Sequence, residues 1–83
     1  MQVTLKLYAS LGVYLPGHAL KNEAKVDVET GTTIRKLLDD YNVPPAACHL
    51  VLLNGHFQAP AVRSDVQLSP GDALAVWPPV AGG

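Results

Sequence analysis

The order of hydrophobic periodicities in this chain predicts an α+β fold, a mixed sheet of four to five strands with one helix packed across one face. Three observations carry that reading. Period-two alternation occupies both ends of the body, in Val3-Thr4-Leu5-Lys6-Leu7 and in Ala73-Leu74-Ala75-Val76-Trp77. A single stretch, Ile34 to Tyr41, has the 3.6-residue period of a helix. An Asn54-Gly55 pair follows a wholly apolar run, the strongest short-range sign of a hairpin.

Taken in order, residues 2–8 place Val3, Leu5 and Leu7 on one face and Gln2, Thr4 and Lys6 on the other, a half-buried strand. Residues 10–22 lack a clean period and contain Gly12, Pro16 and Gly17, a long turn region from which Tyr14 and Leu15 tuck into the body. Alternation resumes over residues 24–29, a strand expected to pair antiparallel with the first. Gly31-Thr32 opens the helix, with Thr32 as the expected N-cap. Ile34, Leu37, Leu38 and Tyr41 form its buried stripe. Arg35 and Lys36 sit in the first turn and Asp39 and Asp40 in the last, opposed to the helix dipole, so packing must hold this helix. Asn42-Val43-Pro44-Pro45 stops it. His49–Leu53 is a strand apolar on both faces, so its outer face is covered or meets a partner. Residues 56–63 make an irregular return limb, Val66-Gln67-Leu68 a short edge strand, and Ser69-Pro70-Gly71-Asp72 a type II turn. The last strand, 73–77, is expected beside the first, parallel and central, which completes a β-grasp arrangement.

The chain then changes character. Residues 1–77 read as the folded domain and 78–83, Pro78-Pro79-Val80-Ala81-Gly82-Gly83, as a flexible tail. Two prolines end sheet pairing and stiffen the lead, and two glycines fit a narrow channel. Extended, six residues reach roughly 20 Å at about 3.3 Å each. A frayed end is one reading of this segment. The other is that the Gly83 carboxylate is a reactive group, which needs activation because an α-carboxylate is an anion and a poor electrophile. Ala75 and Trp77 would flank the tail's exit on the outer sheet face, as a docking surface or, for Trp77, as a ring folded under a loop.

Composition narrows the classes. With 83 residues, 48% hydrophobic and 16% charged, the chain is one small globular domain and not a disordered segment. Six basic against seven acidic residues, without a basic cluster, argue against nucleic acid as a partner. A lone cysteine allows no internal disulfide, and no signal peptide or membrane span is visible, so a soluble cytoplasmic protein is expected. Cys48 precedes an apolar strand and reads as an inert, partly buried thiol. His18, His49 and His56 lack metal-ligand spacing, so no metal is expected. Asp27, Glu29, Asp39, Asp40, Asp65 and Asp72 are scattered over solvent-facing positions. Any chemistry would sit at the terminus.

Four segments together carry a resemblance: Thr33–Leu38, Val51-Leu52-Leu53-Asn54-Gly55, Leu68-Ser69-Pro70-Gly71-Asp72 and the ending Trp77-Pro78-Pro79-Val80-Ala81-Gly82-Gly83. In these the chain resembles the MoaD/ThiS sulfur carriers, ubiquitin-like β-grasp proteins that include the small subunit of molybdopterin synthase. The resemblance spans about residues 24–83. It implies that a ubiquitin-activating-type adenylyltransferase, using ATP and magnesium, adenylates Gly83. A persulfide from a sulfurtransferase or cysteine desulfurase then displaces AMP, and the resulting thiocarboxylate is donated to an acceptor such as the molybdopterin synthase large subunit. The carrier itself binds no cofactor. In that scheme Gly82 and Gly83 form the reactive terminus, and Trp77, Pro78, Pro79, Val80, Ala81 and Ala75 meet the partners. Molybdopterin, thiamine and tRNA thiolation are open as destinations. The ubiquitin-like protein modifier, joined through Gly83 to lysines, and the non-catalytic interaction module stand as alternatives.

Overall fold

A computed structural model describes residues 1–80. β1 (Gln2–Leu7) and β2 (Glu23–Asp27) are joined by a 3-10 turn over Ala9–Tyr14 and a loop. The helix α1 (Ile34–Asp40) leads through a 3-10 turn at Pro45–Ala47 to β3 (Leu50–Leu53). β4 (His56–Phe57) and β5 (Ala73–Trp77) follow. The five strands are ordered β2-β1-β5-β3-β4, with β1 and β5 parallel at the centre and the other pairs antiparallel. This is the expected β-grasp topology, and no helix among the described residues is long and apolar enough to cross a membrane.

The alternation places one row of side chains under the helix. Val3, Leu5, Leu7, Val26, Val51, Leu74 and Val76 are buried together with Ile34, Leu37 and Leu38 of α1. Each such side chain contributes about 1.5–3 kcal/mol relative to leaving it exposed. That matters for α1, whose charges do oppose its dipole and whose Arg35–Asp39 and Lys36–Asp40 pairs lie in solvent. The loop after β1 adds Leu11, fully buried, while Tyr14 and Leu15 pack against the core as half-buried residues.

Two expectations need correction. The helix N-cap is Thr33, not Thr32: Thr33 is extended, and its hydroxyl accepts from the Lys36 N–H at 3.1 Å. Thr32 is held elsewhere, its carbonyl accepting the Leu68 N–H at 2.8 Å. The edge strand is His56–Phe57, not Val66-Gln67-Leu68. The latter segment makes only a single bridge, Gln67 to Thr33, and its neighbourhood serves the helix. The first N–H groups of a helix have no partner within it. Here Val66 O accepts from Ile34 N at 3.0 Å and Arg63 O accepts from Arg35 N at 2.9 Å.

The turns follow their local chemistry. Asn54 and Gly55 both have positive φ, 51° and 84°, as a type I′ turn requires. Gly71, at φ 82°, occupies the third position of the Ser69–Asp72 type II turn. α1 ends in a Schellman motif: Asn42 at φ 62°, its N–H on Asp39 O and the Val43 N–H on Leu38 O, with Val43 buried.

Candidate functional site

β5 runs from the Asn54–Asp72 end of the sheet to the opposite end, where the tail begins. At its start Asn54 Nδ2 donates to Asp72 Oδ1 at 2.9 Å, and Asn54 Oδ1 accepts from Ala73 N at 2.9 Å. At its end Val76 O accepts from Tyr8 N at 3.1 Å and Trp77 O accepts from His49 N at 3.0 Å. Pro78 has no N–H to continue the ladder, so pairing stops there, and Pro78–Val80 carry no regular secondary structure.

Because β1 and β5 pair in parallel, Tyr8 arrives beside Trp77 on the outer face. Their rings stack with centroids 4.4 Å apart and planes within 5°. Trp77 is half-buried, with one face of its ring taken by Tyr8. Pairing of this kind contributes about 0.5–1.5 kcal/mol beyond the area it buries. Tyr8 was not a site residue in the sequence reading. Its signal was positional: it continues the outward row of β1 next to a strand paired in parallel.

The outer face itself is more apolar than Ala75 and Trp77 alone. The register runs Lys6–Ala75–Leu52–Phe57 across the sheet, with Trp77 opposite Leu50 in the next row. Phe57 is 60% exposed and Leu50 36%. The doubly apolar β3 thus divides, Val51 and Leu53 toward the core and Leu50 and Leu52 outward. Phe57 and the leucines extend the apolar outer face toward β4. Beside them an open apolar depression is lined by Ala9, His49, Leu50, Trp77, Pro79 and Val80, among others. Val80 is 74% exposed. Ala81, Gly82 and Gly83 lie outside the described residues.

The remaining side chains with chemical potential do not converge. Cys48 is 5% exposed, its thiol donates to Pro44 O at 3.4 Å, and burial raises its pKa above the ordinary thiol value. His18 bonds Lys25 O through Nε2, His49 is exposed at the root of the tail, and His56 lies in β4. The described residues hold no group of His, Cys, Asp and Glu able to bind a metal ion. A second depression, between the end of β2 and α1, is polar, and its Lys36 is already engaged by Asp40.

Comparison with known proteins agrees with this architecture. No curated protein sequence matches the chain. Among solved structures, SAMP1, the small archaeal modifier protein 1 of Haloferax volcanii, aligns over 100% of both chains at 28% identity with a TM-score of 0.68. A Pyrococcus furiosus protein described as molybdopterin converting factor subunit 1 aligns over 95% of this chain and 98% of its own, at 22% identity and TM-score 0.68. A chain from the complex of subunits 1 and 2 of the Helicobacter pylori molybdopterin-converting factor aligns over 100% of both chains, at 17% identity and TM-score 0.58. The last two speak for the fold alone. The ThiS family model matches residues 14–83, from the first loop through the glycine pair, and the chain belongs to the ThiS family.

Proposed function

We propose that this chain is a sulfur carrier whose Gly83 carboxylate is activated and converted to a thiocarboxylate. Family membership through the terminal Gly-Gly is the observation that carries the reading. In the first step the carboxylate oxygen attacks the α-phosphorus of ATP and pyrophosphate leaves, with magnesium and the catalytic groups supplied by a ubiquitin-activating-type adenylyltransferase. The acyl-adenylate is neutral at the carbonyl, and glycine leaves that carbon unhindered. The terminal sulfur of a persulfide, borne by a sulfurtransferase or cysteine desulfurase, attacks it and AMP leaves. A second thiol then cleaves the S–S bond, is oxidised to a disulfide with the donor, and frees the thiocarboxylate. The acceptor is a biosynthetic enzyme of the molybdopterin synthase type, with thiamine and tRNA thiolation as other destinations.

The chain's own part is presentation. Pro78 and Pro79 form a stiff lead, and Val80, Ala81, Gly82 and Gly83 enter the partner's channel. Ala75 and Trp77, with Leu50, Leu52 and Phe57, supply the apolar face against which the partner rests. A second reading is favoured by the likeness to SAMP1, by name a small archaeal modifier protein: activated Gly83 joined to lysines of other proteins. Intact mass of the protein from its own cells tests both. One oxygen replaced by sulfur, located at Gly83 by fragmentation, is the expected result. Gly-Gly remnants on lysines of other proteins, without the thiocarboxylate, would favour the modifier. Function surviving removal of Gly82-Gly83 would leave only an interaction module.

A further inference from the structure

Arg63 has no part in the carrier reading as it stands. It is 5% exposed, the one charged side chain buried among the described residues, and no carboxylate there pairs with it. Its Nη2 has no hydrogen-bond partner among them. Burial disfavours such a charge and pulls its pKa down. An apolar side chain would fill the space without that cost, but it could not make the contacts Arg63 makes. Nε donates to Gln58 O at 3.0 Å, and Nη1 donates to Cys48 O at 2.8 Å. The Cys48 carbonyl and the His49 N–H are the two ends of one planar peptide unit. That N–H is the group that donates to Trp77 O. A bond accepted at the carbonyl polarises the N–H and strengthens what it donates.

We infer that Arg63 is a positioning residue for the tail: its guanidinium sets the plane of the Cys48–His49 peptide, and that plane sets the direction in which the chain leaves β5. Pro78 and Pro79 have no N–H, so the root of the tail offers only acceptors by which to be held. Their φ angles are locked near −65°, which leaves the orientation of the Trp77 carbonyl as a main soft variable of the exit. The Arg63–peptide–Trp77 relay fixes that variable. Its value for delivering Gly83 rests on the sulfur-carrier reading, whereas the relay itself does not.

The test uses the full chain, labelled for NMR. In the unchanged protein the Arg63 Nη protons should give separate, slowly exchanging signals, because two bonds hinder rotation of the guanidinium. A single averaged signal overturns the inference. In Arg63→Lys, which keeps the charge but not the fork of donors, exchange of the His49 amide should rise about tenfold or more. The order parameter of the Val80 amide should fall, while the Leu5 and Leu74 amides at the sheet centre exchange as before. Unchanged His49 exchange overturns the inference, and so does an acceleration shared equally by Leu5 and Leu74, which marks a merely structural role. If Arg63→Lys does not fold, the signals of the unchanged protein decide. No activating enzyme is involved, so a missing thiocarboxylate would leave this result standing, and a slack His49 would leave the carrier reading standing.

Discussion

Phe57→Thr separates docking from folding. Phe57 is 60% exposed on β4 and outside the buried core, and threonine, being β-branched, is also well accepted in a strand. A phenylalanine buries about 150–250 Å² when fully covered, so roughly 90–150 Å² is left for a partner to cover. At about 25 cal/mol per Å² that sets a ceiling of about 2–4 kcal/mol. Interfaces return less than their area implies, and a reasonable loss is about 1–2.5 kcal/mol, or a 5- to 70-fold weaker docking. The assay is ATP–pyrophosphate exchange by the cognate adenylyltransferase, with the carrier as the varied substrate. Phe57 is remote in sequence from Gly83, so KM should rise by that factor with kcat unchanged. The melting transition should stay within about 0.5 kcal/mol of the parent. An unchanged KM would remove the β4 side of the sheet from the docking surface. A fall in kcat at constant KM would contradict the division between a binding face and a reactive tail.

Thr33→Ala removes the only side-chain cap of a helix whose charges oppose its dipole; denaturant unfolding should show a loss of about 0.5–2 kcal/mol, and Thr32→Ala much less. Asn54→Ala puts alanine at positive φ and breaks the bonds to Asp72 and Ala73, so stability should fall by about 1–3 kcal/mol, with β3–β5 amides exchanging faster. Cys48 is held as a neutral thiol, so its alkylation near pH 8 should be about tenfold or more slower in the native chain than in the unfolded one. The unfolded chain loses this proton at lower pH than the native chain. The stability Cys48 contributes is therefore complete below the ordinary thiol range and declines as pH rises through it toward the raised native value. Cys48→Ala should flatten that alkaline slope.

Much of the architecture was legible because local and global signals agree. The alternation of β1 and β5, the stripe of Ile34, Leu37 and Leu38, and the turns at Asn54-Gly55 and Pro70-Gly71 each specify their own conformation and point to one core. The features that were not legible depend on distant partners. Thr32 and Thr33 are chemically equivalent caps, and the choice falls to Thr33 because the carbonyls of Arg63 and Val66 close the next N–H groups. β4 is two residues long, too short to show a period, and exists because the hairpin turn returns it to β3. Tyr8 and Arg63 look ordinary in the sequence; one gains its role from parallel register with β5, the other from reaching a peptide fifteen residues away.

The central position of the β1–β5 pair has a consequence during synthesis. β1 is made before β5 and cannot find its inner neighbour until residues 73–77 have emerged. Chain closure of that span is a late and slow event. A product truncated before β5 exposes the apolar flank of β1 and the underside of α1, a substrate for chaperones and proteases. Only a chain that includes β5 can close the centre of the sheet, so the pool of folded molecules is sorted for the presence of residues 73–77.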